Sequence, residues 1–206
     1  MSRRPHLPSP RGVSDVAEVV LWLARNRPPT LGDARLVCID GRTGSGKSTL
    51  GTAVHELAAA EGTSALVHLD DLLDGWDGLD QVSRALEEQV LAPLRGGRAG
   101  RYRRYDWLRQ EYAEAHTVDP VDLLVVEGVG SGAAAYSSSI STLVWVDAPA
   151  EIGLERSLAR DGEAIRPQLL RWMEREAALF ARERTQDRAD VVVDGTGQAD
   201  YAVVLA

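Results

Sequence analysis

The sequence predicts an α/β domain of three layers, a five-stranded parallel sheet with helices on both faces. Three observations predict it. The apolar runs are short and unbroken, as in strands buried on both faces, and do not alternate apolar with polar. They alternate along the chain with segments of helical periodicity, the pattern of parallel strands joined by crossover helices. The first run also passes directly into a glycine-rich loop that opens a helix.

Each element has its own warrant. Residues 13–24 form an amphipathic opening helix, and Asp15 and Glu18 within it exclude an export signal. The run at 36–40 is the first strand, and the alanine- and leucine-rich stretch 48–61 is the helix after the loop. A second strand at 64–69 ends on Asp70 and Asp71. Helical periodicity returns at 79–94. Residues 95–107, rich in glycine, arginine and tyrosine, read as an irregular excursion. The third strand, 122–126, leads into Glu127 and Gly128, and a segment of small residues at 130–141 precedes the fourth strand, 143–146. Pro149 starts a helix over 149–159, and Pro167 suits the first turn of another reaching about Arg188. Residues 189–193 supply the fifth strand.

The 206 residues suffice for a single domain with a core that needs neither metal nor disulfide. The lone cysteine, Cys38, excludes a disulfide framework and suits a reducing cytoplasm. A net charge of −8 disfavours binding to nucleic acid. No apolar run could cross a membrane, and the four histidines lack metal-ligand spacing. A proline-bearing N-terminal tail, 1–12, reads as flexible. Self-association is left open.

The loop carries the sharpest signal. Gly41, Thr43, Gly44, Ser45, Gly46, Lys47, Ser48 and Thr49 fall within a G-x-x-x-x-G-K-[ST] pattern. Lys47 is the only lysine beside 22 arginines. An ammonium is a point charge that fits among phosphate oxygens, where the broad guanidinium fork does not. Together with the flanking strand and helix, the motif predicts binding of a nucleoside triphosphate in a P-loop NTPase sandwich. Absence of any second lysine excludes the guanine-reading N-K-x-D of GTPases.

Acids at strand ends complete the reading. Asp40, Asp70, Glu127 and Asp147 fall at or just beyond carboxyl ends, where ligands of parallel sheets bind. Ser48 and Glu127 are the candidates to hold magnesium, with Asp70 as an alternative carboxylate. Asp70 or Asp71 is the candidate base for an acceptor hydroxyl. Capping of the next segment is the plain alternative for both. Trp76, Tyr102, Tyr105 and Trp107 fall in expected rim loops of a chain only 5% aromatic, which favours a stacking pocket; Trp22, Trp145 and Trp172 read as core or helix-packing residues.

In their order, Asp70-Asp71-Leu72-Leu73, Tyr105-Asp106-Trp107, Glu127-Gly128 and the run from Arg156 to Arg166 resemble the uridine kinases. Phosphoribulokinase and pantothenate kinase are relatives of that group. The resemblance spans about 36–194 and implies ATP and Mg2+ as cofactors, with a small-molecule alcohol, most simply a nucleoside, as acceptor. It implies Asp70 as catalytic base, Asp77 as the ribose-holding acid, and Tyr105 and Trp107 as the base-stacking rings. Arg160 and Arg166 become nucleotide-facing arginines of a short lid at about 160–167, while Arg156 is open between lid and surface. Leu72 stands where the family has an aromatic, and Gln110 lies near the place of an expected histidine. Arg95, Arg98, Arg101, Arg103, Arg104 and Arg109 support two alternatives, a nucleoside-monophosphate or a sugar-phosphate kinase. A non-catalytic ATP-binding regulator is the third.

Overall fold

The computed structural model describes residues 12–197 and the backbone of 203–205. All of the expected tail but Gly12 lies outside the described residues. Helix α1 (Val13–Arg25) lays Val16, Ala17, Val20, Leu21 and Ala24 onto the core. Its Trp22, expected as packing, is 41% exposed. Strand β1 (Arg35–Gly41) is followed by α2 (Lys47–Ala59), which packs on α1, and then by β2 (Ser64–His68).

The expected helix at 79–94 is interrupted. After a 3-10 segment at Gly75–Asp80, α3 (Val82–Leu86) widens through a π-helical turn (Glu87–Leu91) into α4 (Ala92–Arg95). Pro93 lies just beyond that turn. It has no N–H to donate and its ring crowds the preceding turn, which accounts for the wider winding.

The irregular excursion is corrected outright. Strands β3 (Gly100–Asp106) and β4 (Glu111–Val118) form an antiparallel hairpin with a register shift between Arg103 and Tyr105. Gly100 and Tyr102 turn inward while Arg101 and Arg103 face solvent, a period-two alternation that the register shift breaks before Tyr105 turns inward again. The hairpin packs over the short turn that follows β2 and over the π-helical turn.

The remaining elements are β5 (Leu123–Glu127), β6 (Thr142–Asp147), α5 (Ala150–Asp161), α6 (Arg166–Glu183), α7 (Thr185–Arg188), β7 (Val191–Asp194) and β8 (Val203–Leu205). Arg184, in the left-handed region at φ 51°, separates α6 from α7, so the long helix ends before Arg188. Five parallel strands run in the order β2-β5-β1-β6-β7, and β8 adds an antiparallel edge that three short residues gave no reason to expect.

Alternate residues of one strand serve opposite layers. Leu36 and Cys38 of β1, with Leu124 and Val126 of β5, face the core shared with α6 and the α3–α4 region. Val37, Ile39, Leu123 and Val125 face α1 and α2. Both faces are covered, which is why the strands read as continuous apolar runs. Among the described residues no helix is long and apolar enough to cross a membrane.

Candidate active site

The carboxyl ends of β1, β2 and β5 open onto a cleft of about 220 Å³. Its floor is the glycine loop, which turns from β1 into α2 through Gly46 at φ 105°, a value that glycine adopts without strain. Gly44, Gly46, Lys47, Ser48 and Thr49 line it, as does Thr43. The loop and the positive end of the 13-residue α2 suit an anion. Lys47 is largely buried, and its Nζ donates to the Arg42 carbonyl at 2.8 Å. Ser45, within the loop, is wholly buried.

Asp70, Glu127 and Arg160 line the same cleft. The Asp70 carboxylate meets solvent at the cleft but has protein around it elsewhere. That loss of water and the Glu127 charge raise its pKa, while Lys47 and Arg160 draw it down. Asp71 does not line the cleft and lies among His68, His116 and Arg104. Glu127 is 4% exposed, and His68 Nδ1 stands 2.5 Å from its Oε1. This contact raises the pKa of His68. His68 was not singled out in the sequence, because pairing across two strands leaves no spacing to read.

The other strand-end acids do different work. Asp40 is fully buried and accepts N–H groups from Gly41, Gly130 and Gly132 at 2.8–2.9 Å. It ties the loop after β1 to the loop after β5. Burial raises its carboxyl to about 6 against the pull of those three donors. Asp147 accepts the Trp145 indole N–H at 3.2 Å.

The lid arginines separate. Arg160 lines the cleft and forms a two-pronged pair with Asp161, while Arg166 pairs with Glu163 and is not among the lining residues. Arg156 does reach the cleft, and its guanidinium donates to the carbonyls of Gly44, Gly195 and Thr196. Between α5 and α6 the expected lid is Gly162 and one 3-10 turn, Glu163–Ile165.

Among the residues expected to meet an acceptor, Trp107 donates its indole N–H to the Asp70 carbonyl at 3.2 Å, fixing the hairpin tip beside the cleft. Tyr105 is 8% exposed and meets Trp107 and Tyr112 edge-on. Asp77 lies outside the cleft lining and pairs with Arg175 at 2.9 Å. Leu72, in place of the family's aromatic, is buried in the core. The arginine cluster does not converge: Arg95 pairs with Glu87, Arg104 with Glu114, and Arg103 donates to carbonyls of Tyr112 and Ala113.

Glu176 was not singled out in the sequence, and Trp172, expected as a packing residue, is buried as expected but also bonds the loop. Glu176 of α6 accepts the Thr43 N–H at 3.1 Å and its hydroxyl at 2.8 Å, and Trp172 donates to the same hydroxyl at 2.9 Å. The side chain of Thr43 is therefore directed into the protein. A glutamate on a long charged helix carries no signal in sequence that it is buried.

The chain is similar in structure to a possible uridine kinase from Bacillus stearothermophilus, with TM-score 0.64 and 18% identity, over 86% of this chain and 97% of the other. It is also similar to D-glycerate 3-kinase from Cryptococcus neoformans var. grubii, with TM-score 0.61 and 14% identity, over 94% of this chain and 99% of the other. No protein-family model and no curated protein matches the sequence. What is shared at these identities is the fold.

Proposed function

We propose that the chain is a uridine kinase-like, ATP-dependent kinase that phosphorylates a hydroxyl of a small molecule. One observation carries this: Lys47, Asp70, Glu127 and Arg160, from four separate parts of the chain, line a single cleft over the glycine loop. The loop N–H groups cradle the phosphates, and Lys47 exchanges the Arg42 carbonyl for phosphate oxygen. Asp70 takes the proton of the acceptor hydroxyl as its oxygen bonds to the γ-phosphorus and ADP departs. Arg160 faces the charge that develops on the transferring group.

Ser48 and Glu127 offer hard oxygen donors in the same cleft, a donor set that fits magnesium and would hold it there. Bound there, the ion would supply neutralisation of phosphate charge.

For the acceptor, Trp107 beside Asp70 supports a ring-bearing alcohol such as a nucleoside. A second reading, a smaller polyol or hydroxy acid, is favoured by the burial of Tyr105 and the engagement of Asp77 by Arg175. The engagement of Arg95, Arg103 and Arg104 within the protein counts against their holding the phosphate of a phosphorylated acceptor. ADP formation with ATP and a panel of nucleosides, their monophosphates, polyols and hydroxy acids tests all three. Turnover of nucleosides alone supports the first reading, and activity confined to monophosphates overturns both. ATP binding without turnover on any member would point to the regulator.

A further inference from the structure

The lid segment stands between two attachments to one turn of the glycine loop. On one side Arg156 of α5 donates to the Gly44 carbonyl. On the other, Glu176 of α6 holds Thr43 by two hydrogen bonds, and Trp172 adds a third. Thr43 and Gly44 are neighbours, so the two helices that flank the lid each grip one of two adjacent loop residues.

Glu176 is 2% exposed and has no part in the chemistry described above. Both of its bonds to Thr43 fall on one oxygen, Oε2. Burial of a carboxylate is costly unless it is well bonded, so a neutral residue would be the cheaper occupant were this position only filling space. Its partners are the backbone and side chain of the residue at which the loop begins to curve under the phosphate site.

We propose that Glu176 is a positioning residue of the nucleotide site: it latches α6 to Thr43 and so holds the loop in the shape that presents its N–H groups to phosphate. The proposal rests on the reading of the cleft as a nucleotide site. With Arg156 of α5 also fixed to the loop, the latch confines any lid movement to the residues between Arg156 and Trp172.

The test is binding of a non-hydrolysable ATP analogue by calorimetry, with thermal melting in parallel, on wild type, Glu176→Gln, Glu176→Ala and Thr43→Val. The amide oxygen of glutamine can accept both Thr43 bonds, so Glu176→Gln is expected to bind within about threefold of wild type. Glu176→Ala is expected to weaken binding by about tenfold or more, the scale of losing bonds to a charged group. Thr43→Val removes only the hydroxyl bonds and is expected to weaken binding by a few fold, which keeps the test open if the alanine variant does not fold. If Glu176→Ala, or Thr43→Val where the former is unfolded, melts lower but binds the analogue as wild type does, Glu176 is structural and the proposal falls. Equal weakening in Glu176→Gln and Glu176→Ala also overturns it, because the acceptor oxygen would then not be what matters. A wild-type protein that binds no analogue overturns the nucleotide reading itself, a result distinct from both.

Discussion

Gly44 and Gly153 meet backbone to backbone: a Cβ on Gly44 would stand 2.4 Å from the Gly153 carbonyl oxygen. In return, a Cβ on Gly153 would stand 2.2 Å from the carbonyl of Thr43. The glycine loop is thus seated on the first turn of α5 by a contact that only two glycines permit. Gly153→Ala at an open helix position would gain up to about 1 kcal/mol in helix propensity. Here the clash with backbone wins. The variant is expected to lose about 1–3 kcal/mol of stability, the range for overpacking, and to bind nucleotide more weakly. Denaturant melts and analogue titration check both, and a variant as stable as wild type would mean that α5 yields freely.

Lys47→Ala should lower kcat by about 10²-fold or more and weaken nucleotide binding, because a preorganised charge at the transferring group is lost. Its ammonium is bonded to a loop carbonyl, so folding should survive. Lys47→Arg should fail too, since the site is largely buried and a guanidinium is broader. Circular dichroism beside turnover checks the pair, and activity within a few fold of wild type in either variant would refute the role.

Asp40 gives a pH signature. Its folded pKa, raised to about 6 from the ordinary 3.8, means that the folded chain holds a proton the unfolded chain has released. The stabilising contribution is full below pH 3.8 and is lost as pH rises through about 6, in all about 3 kcal/mol. Asp40→Asn has no such titration. The difference between the stability curves of wild type and Asp40→Asn should therefore change across that window and be flat above it. The variant also turns an amide N–H2 toward Gly130 or Gly132, or loses an acceptor there, a cost of about 1–3 kcal/mol that should show in full below pH 3.8 and be offset above about pH 6, where the wild type carries the buried ionised carboxylate. A pH-independent difference would place the titration elsewhere.

Much of this was legible in the sequence because it is local. The loop pattern, the order of the five parallel strands along the chain and the acids at their ends all follow from neighbours in the chain. What was missed depends on contacts far apart in sequence. Glu176 reaches Thr43, His68 reaches Glu127, and Arg175 engages Asp77, each across tens of residues. The hairpin was missed for a different reason. Its inward tyrosines alternate with arginines, and a bulge at Arg103–Tyr105 breaks the period where it would have been read.

Arg160→Ala should lower kcat more than it raises the KM for ATP if, as proposed, its charge acts on the transferring group rather than on the resting nucleotide. Arg160 lines the cleft, whereas Arg166 is held by Glu163 outside that lining. Steady-state kinetics separates the two constants. A rise in KM with kcat untouched would mean ground-state binding only, and would remove Arg160 from the catalytic set.

The central claim is phosphoryl transfer to an acceptor hydroxyl whose proton goes to Asp70. The most direct measurement is the rate of acceptor phosphorylation by wild type, Asp70→Asn and Asp71→Asn on the best acceptor of the panel, with ATP-analogue affinity measured beside it. Asp70→Asn is expected to lower kcat by about 10²–10⁴-fold with affinity nearly unchanged, and Asp71→Asn to have a much smaller effect. Full activity in Asp70→Asn, or a large loss in Asp71→Asn alone, would contradict the account.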